Sequence, residues 1–158
     1  MGVLKRMSGG KNDIALQDLS QVLLALRSQV EGAYVLQKFV KPRGMHAAVY
    51  RTTWRRNGAP TTVLVSNMKT MRVSPAQPNA RLHFCAHSTD LDSNTVLSFR
   101  GRGATETQGI CAEIVDFVEK RKDAGCKFDV FVGDFLKDEK ERWYFLQAKN
   151  FVCSSARS

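Results

Sequence analysis

The dipeptide Asn57-Gly58 constrains this chain more than any other feature. It lies between "MHAAVYRTTW" and "TTVLVSNM", two segments rich in β-branched and aromatic residues. A two-residue hairpin turn needs positive φ at its centre, and Asn-Gly supplies that at least steric cost. The two segments are therefore expected to pair antiparallel, and further strands must be added at the edges of that hairpin.

Further strands are readable on both sides. "AYVLQKFV" ends at "KPRG", where Pro42 presets φ and Gly44 closes a turn. "RLHFCAH" alternates Leu82, Phe84 and Ala86 on one face, and "TVLSFR" follows after the turn "TDLDSN". The closing segments "KFDVFVGDFL" and "RWYFLQAKNF" flank the charged turn "KDEKE". Both carry apolar residues on both faces, the pattern of central strands or of strands covered on both sides. "VSPAQPNA", with two prolines, reads as a loop.

Two segments carry the helical period instead. Over residues 13–31, Leu16, Leu19, Leu23, Leu26 and Val30 fall on one face, with Asn12 or Asp13 as cap and Gly32 as terminator. Over residues 106–122, Ile110, Ile114, Phe117 and Val118 form the expected buried stripe. The fold class is α+β: a mainly antiparallel sheet of about six to seven strands packed with two helices. With 158 residues the chain suits one core. The expected organisation is a basic N-terminal tail over 1–12, a single domain over 13–152 and a C-terminal tail over 153–158.

Lys and Arg number 24 against 15 Asp and Glu, a net charge of +9 spread along the chain. A folded basic surface of this kind expects an anionic partner. Nucleic acid and an acidic protein surface, such as a tubulin lattice, both qualify. No apolar run reaches the roughly 18 residues needed to span a bilayer, and "MGVLKRMSGG" lacks the apolar core of a secretory signal. Gly2 is followed by Arg6 where a myristoylation motif wants Ser or Thr. Cys85, Cys111, Cys126 and Cys153 form no CxxC pair and read as reduced thiols of a cytoplasmic protein.

Four motifs invite a chemical reading. "SFRGRGATETQ" has the glycines of a phosphate loop. It lacks a following Lys-Ser/Thr pair, and Glu106 stands where a dinucleotide fingerprint needs Gly. A strand-to-helix turn with a capping box from Thr105 to Gln108 accounts for it better. In "HFCAH", His83, Cys85 and His87 share one strand face. His83 and His87 then stand about 13 Å apart, too far for one zinc with bonds of about 2 Å. "DLDSN" begins like a calcium loop but has Thr95 and Gly101 at its sixth and twelfth positions. No nucleophile–base signature is present, and Gly133 between Asp129 and Asp134 reads as a bulge. The chain is therefore expected to be non-enzymatic and to need no cofactor or metal.

The remaining signal is basic and aromatic. In "YRTTWRRNG", Arg51 and Arg55 share one strand face, Tyr50 and Trp54 the other, and Arg56 tops the turn. Arg100 and Arg102 have no evident local duty. These five arginines are the candidate partner contacts. They suit an acidic protein groove, or RNA through charge and stacking.

The closing segment "VGDFLKDEKERWYFLQAKNF" pairs a Phe/Asp-rich strand, a charged turn and a Trp-aromatic strand ending in Lys-x-Phe. With "LQKFVKPRG" as an opening strand and basic turn, this resembles the short conserved domains of cilium- and flagellum-associated proteins, over about Tyr34 to Phe151. The resemblance implies a structural, non-enzymatic axonemal component within a larger assembly, bound to doublet microtubules. It brings no catalytic residues. An RNA-binding component of a ribonucleoprotein, such as a ribosomal protein, is the alternative.

Overall fold

In the computed structural model, residues 2–8, 11–28, 33–73, 80–86, 92–121 and 126–155 are described. In chain order they form β1 (Gly2–Ser8), β2 (Lys11–Gln17), α1 (Leu19–Arg27), β3 (Ala33–Lys38), β4 (His46–Arg55) and β5 (Thr61–Thr70). A short 3₁₀ helix (Ala80–His83) follows, then β6 (Asn94–Ser98), α2 (Arg102–Glu119), β7 (Cys126–Lys137) and β8 (Trp143–Ser155). The fold is α+β. Its main sheet has five strands in the order β6-β5-β4-β7-β8, and a three-stranded sheet is ordered β2-β1-β3. All pairings are antiparallel.

The segments flanking Asn57-Gly58 pair antiparallel as expected, Thr53 with Thr61 and Arg51 with Val63. The register centres on Asn57, however, and neither Asn57 nor Gly58 takes positive φ, so the connection is a longer loop and not the two-residue turn. β7 then pairs with the other edge of β4, placing Thr52 beside Gly133 and Arg51 beside Asp134. α2 lies on one face of this sheet. Cys111 and Val115 of the helix pack on Phe128, Phe131 and Phe135 of β7, with Tyr50, Trp54 and Trp143 around them. Alternation along β4 therefore points Tyr50, Thr52 and Trp54 at the helix, and Arg51 and Arg55 away from it.

A buried polar contact fixes the helix on the sheet. The Thr52 hydroxyl lies 3.0 Å from that of Thr62 and 2.8 Å from that of Thr107. The Thr107 hydroxyl reaches the carbonyls of Gly103 and Ala104, both at 3.1 Å. Gln108 Nε2 donates to the Thr62 hydroxyl at 3.4 Å.

Several expectations are corrected. Residues 2–8, read as part of a tail, form β1 at the centre of the small sheet. The helix expected over 13–31 is confined to Leu19–Arg27. Its start is set by Asp18, whose carboxylate accepts the Gln21 N–H while the Gln21 side chain reaches back to the Asp18 N–H. Upstream, residues 11–17 pair with β1, Ser8 opposite Lys11. The dipeptide between them is Gly9-Gly10, a hairpin signal in its own right. β8 extends to Ser155, into the expected C-terminal tail.

"RLHFCAH" is not a strand. Residues 80–83 form the 3₁₀ helix, because the buried Asn67 side chain donates to the carbonyls of Leu82 and Cys85, both at 2.7 Å. His83 Nδ1 meets the Thr70 carbonyl at 2.8 Å, and His87 lies outside the described residues. Among the described residues, no three His, Cys, Asp or Glu side chains gather as a metal site. No described helix is long and apolar enough to cross a membrane.

α2 also starts earlier than expected, at Arg102, so Thr105 is not its cap. Gly101 is, with φ +116, a backbone conformation that L side chains rarely adopt. Gly103 lies in the first turn, where a Cβ would stand 3.3 Å from the Phe99 ring and 3.6 Å from both Tyr50 and Trp143. The two glycines thus serve backbone shape and close packing. Phe117, expected in the buried stripe, is 65% exposed.

Candidate partner-binding surface

The five arginines occupy different parts of the molecule. Arg51 is turned inward to the buried Asp134: its Nε and Nη2 donate to the two carboxylate oxygens at 2.7 and 3.0 Å. Gln147 Nε2 donates to the same carboxylate at 2.8 Å, so this acid ties β4, β7 and β8 together on the face away from α2. Arg102 pairs with Glu106 one turn along α2 at 2.7 Å and stays 90% exposed. Arg100 is exposed and makes no ion pair among the described residues.

Arg55 and Arg56 stand at the hairpin end of the sheet. Arg56 folds over Trp54, its guanidinium 5.6 Å from the ring. Its N–H donates to the Asp129 carbonyl at 3.0 Å, its Nε to the Phe128 carbonyl at 2.9 Å, and its Nη2 to Glu119. Glu119 also accepts the Phe128 N–H at 2.7 Å. These bonds join three chain segments at one pole: the end of β4, the end of α2 and the start of β7.

The pole is basic. Arg55, Arg56, Lys120, Arg121 and Lys127 are all exposed there. Its acids are already engaged: Glu119 and Asp129 by Arg56, and Asp116 by Lys120. Arg55 and Lys127 have no ion-pair partner among the described residues. Sequence reasoning found Arg55 and Arg56 but missed Lys120, Arg121 and Lys127. The available signal was "EKRKDAGCK", a basic run at the end of a helix. Arg100 and Arg102 lie at the other end of α2, about 25 Å away for a helix of this length.

That other end is charged but self-neutralised. Glu106 accepts Trp143 Nε1–H at 2.8 Å, Lys137 at 3.0 Å and Arg102 at 2.7 Å. These bonds, Trp143 first, hold its carboxyl at about 2, below the ordinary 4.5, and Glu106 in turn raises Lys137. Asp138 organises the β7–β8 turn. Burial pushes its carboxyl up, but the Arg142 and Lys140 N–H groups, the Arg142 guanidinium and the Tyr144 hydroxyl outweigh that and hold it at about 2, against an ordinary 3.8. The turn 41–44 docks here through the Pro42–Asp138 bridge and ion pairs of Lys41 with Glu139 and Arg43 with Glu141.

A pH dependence follows. Both carboxyls are depressed in the folded state, so each favours folding above its ordinary value and loses that contribution as pH falls towards about 2. The melting temperature should decline between about pH 5 and pH 2. Glu106→Gln and Asp138→Asn together should make that decline shallower. An unchanged slope would assign acid sensitivity to other carboxylates.

Burial pushes the Cys111 thiol up to about 12, partly offset by a hydrogen bond from the Gly133 backbone, so it is not a thiolate at neutral pH. Tyr50 is held edge-on between Phe99 and Trp143, with centroids at 5.1 and 4.9 Å. Half-buried Trp54 packs against the core cluster. Comparison with protein families, with curated proteins and with solved structures finds no match to the chain.

Proposed function

We propose that this protein is a non-enzymatic interaction module whose basic pole docks on an acidic protein lattice. The setting that fits the resemblance of the closing hairpin is the ciliary or flagellar axoneme, within the microtubule cytoskeleton. The observation that carries the reading is the pole itself. Five exposed basic side chains converge from β4, α2 and β7, and the acids among them are already paired. The pole therefore faces outward with net positive charge, which favours an acidic surface and makes binding sensitive to salt.

The test is co-sedimentation with microtubules across a salt series. Arg55 and Lys127 are the positions to reverse, because neither supports the fold through an ion pair. Arg55→Glu with Lys127→Glu is expected to weaken binding at least tenfold at low salt, with the melting temperature kept. Retained binding would overturn the tubulin reading. A filter titration with RNA on the same samples separates the nucleic-acid alternative. Tight, steeply salt-dependent RNA binding lost in the same variant would favour a ribonucleoprotein role. Tyr50 is engaged by two other rings, and Trp54 by the core and by Arg56, which leaves those aromatics poorly placed to stack on bases.

A further inference from the structure

α2 covers β5, β4 and β7 but leaves the same face of β8 open. Phe145 and Phe151 stand on that face, 45% and 59% exposed. Each leans on a ring of the core: Phe145 stacks on Phe131 at 6.3 Å, and Phe151 meets Phe128 edge-on at 5.9 Å. Between them on the same face is exposed Ala148, paired with Gly133. The core is thus continued outward by two aromatic rings and a small residue, with nothing above them among the described residues.

Phe117 supplies the opposite rim. It lies eleven residues after Glu106, which returns a helix to within about 20° of the same direction. Glu106 reaches Trp143 at the start of β8, so Phe117 looks towards β8 as well, three turns further along. The result is a groove between the outer side of α2 and β8. Phe145 and Phe151 pair with Phe135 and Phe131, four residues apart on β7 and hence about 13 Å. Two to three helical turns, at about 5.4 Å each, match that spacing.

The edge of β8 is a poor site for strand addition. Its register shifts between Val132 and Gly133 and between Asp134 and Phe135, which leaves Lys149 and Leu146 as bulged residues. The Gln37 side chain also occupies the Leu146 carbonyl at 3.2 Å. Bulges and an edge lysine block a further strand. A ligand must therefore lie on the face. Lys149 flanks the groove, and Arg121, after the end of α2, stands at its Phe151 end.

We propose that this groove binds an acidic amphipathic helix of a partner protein, its apolar stripe on Phe117, Phe145 and Phe151 and its carboxylates towards Lys149 and Arg121. The proposal rests on the reading of the partner as an acidic protein and adds how one segment of it is held. A displayed library of random peptides of about 16 residues, roughly 24 Å when helical, is the probe. Selection on the full chain should enrich peptides with apolar residues three and four apart and an excess of Asp and Glu. Phe117→Ser with Phe151→Ser should weaken those peptides at least tenfold. Phe117→Ser alone, on an exposed helix face, provides a variant expected to fold normally, and it should weaken them severalfold.

Several results would overturn the proposal. They are no enrichment, enriched peptides that bind the double variant equally, enriched peptides with strand-like alternation or without acidic bias, and a concentration-dependent dimer abolished by the double variant, which would make a second copy the occupant. Arg55→Glu leaves the groove intact. Loss of microtubule co-sedimentation in Arg55→Glu with peptide binding retained would separate the two surfaces, whereas peptide binding by the parent chain alongside its own failure to co-sediment would reject the lattice and keep the groove.

Discussion

Phe135→Ala is expected to destabilise the protein by about 3–5 kcal/mol, the range for emptying a fully buried phenylalanine site, as read by urea denaturation. Phe135 is fully buried at the centre of the core cluster, and its ring also closes over Gly133. A Cβ at position 133 would stand 2.9 and 3.0 Å from two atoms of that ring and 3.2 Å from Phe131. The Phe135 ring cannot swing clear without displacing its neighbours, so Gly133→Ala should cost about 1–3 kcal/mol through overpacking. The combination is the informative measurement. With Phe135 cut back to alanine, the added methyl enters vacated space, and Gly133→Ala should become nearly neutral. The two changes would then be coupled rather than additive. Additivity within about 0.5 kcal/mol would mean that the ring does not fill the place of the missing side chain.

The second large effect is expected on the opposite face of the sheet. Asp134→Ala removes the acceptor of both Arg51 bonds and of Gln147. Breaking a buried ion pair from one side costs about 3–5 kcal/mol. Arg51 keeps some contact with water, its side chain being 20% exposed, so a loss near the lower end, about 3 kcal/mol, is expected. Arg51→Met with Asp134→Leu should recover most of it, because the pair is replaced as a unit and no charge is stranded. A single Asp134→Ala variant within about 1 kcal/mol of the parent would show that solvent, not Asp134, satisfies Arg51.

The legible and illegible parts of this chain divide along a physical line. The Asn57-Gly58 hairpin, the charged β7–β8 turn and the body of α2 were readable because each depends on neighbours in sequence. The conformation of 80–86 was not, because it is decided by Asn67, whose amide takes two carbonyls that would otherwise belong to a strand. The start of α2 was misplaced for a related reason. Thr105 and Gln108 have the spacing of a capping box, yet Gln108 is turned to Thr62 on the sheet, and a glycine with positive φ begins the helix instead.

The arginines teach the same lesson at the candidate site. Arg51 and Arg55 look equivalent, four residues apart on one strand face, but the acid opposite Arg51 arrives from β7 and none arrives opposite Arg55. Lys120, Arg121 and Lys127 join the pole only because α2 ends where β7 begins. β8 was read as a central strand, or one covered on both sides, from its two apolar faces, whereas it is an edge. That mismatch between pattern and position is what exposes Phe145 and Phe151.

The three threonines beneath α2 have a consequence for proton order. Each hydroxyl owns a single hydrogen. Thr107 gives its hydrogen to the helix carbonyls, so it must receive one from Thr52. Thr52 has then spent its own and must receive from Thr62, which in turn receives from the Gln108 amide. The hydrogens therefore run in one direction, leaving the helix at Gln108 and returning to it at Thr107. Sliding α2 by one residue, about 1.5 Å and 100°, would break both links between helix and sheet, Thr52 to Thr107 and Gln108 to Thr62. The sheet thus favours one axial setting for this helix, and the directions in which Phe117 and Glu106 point are set by the Thr107 hydroxyl on the sheet-facing side of the helix.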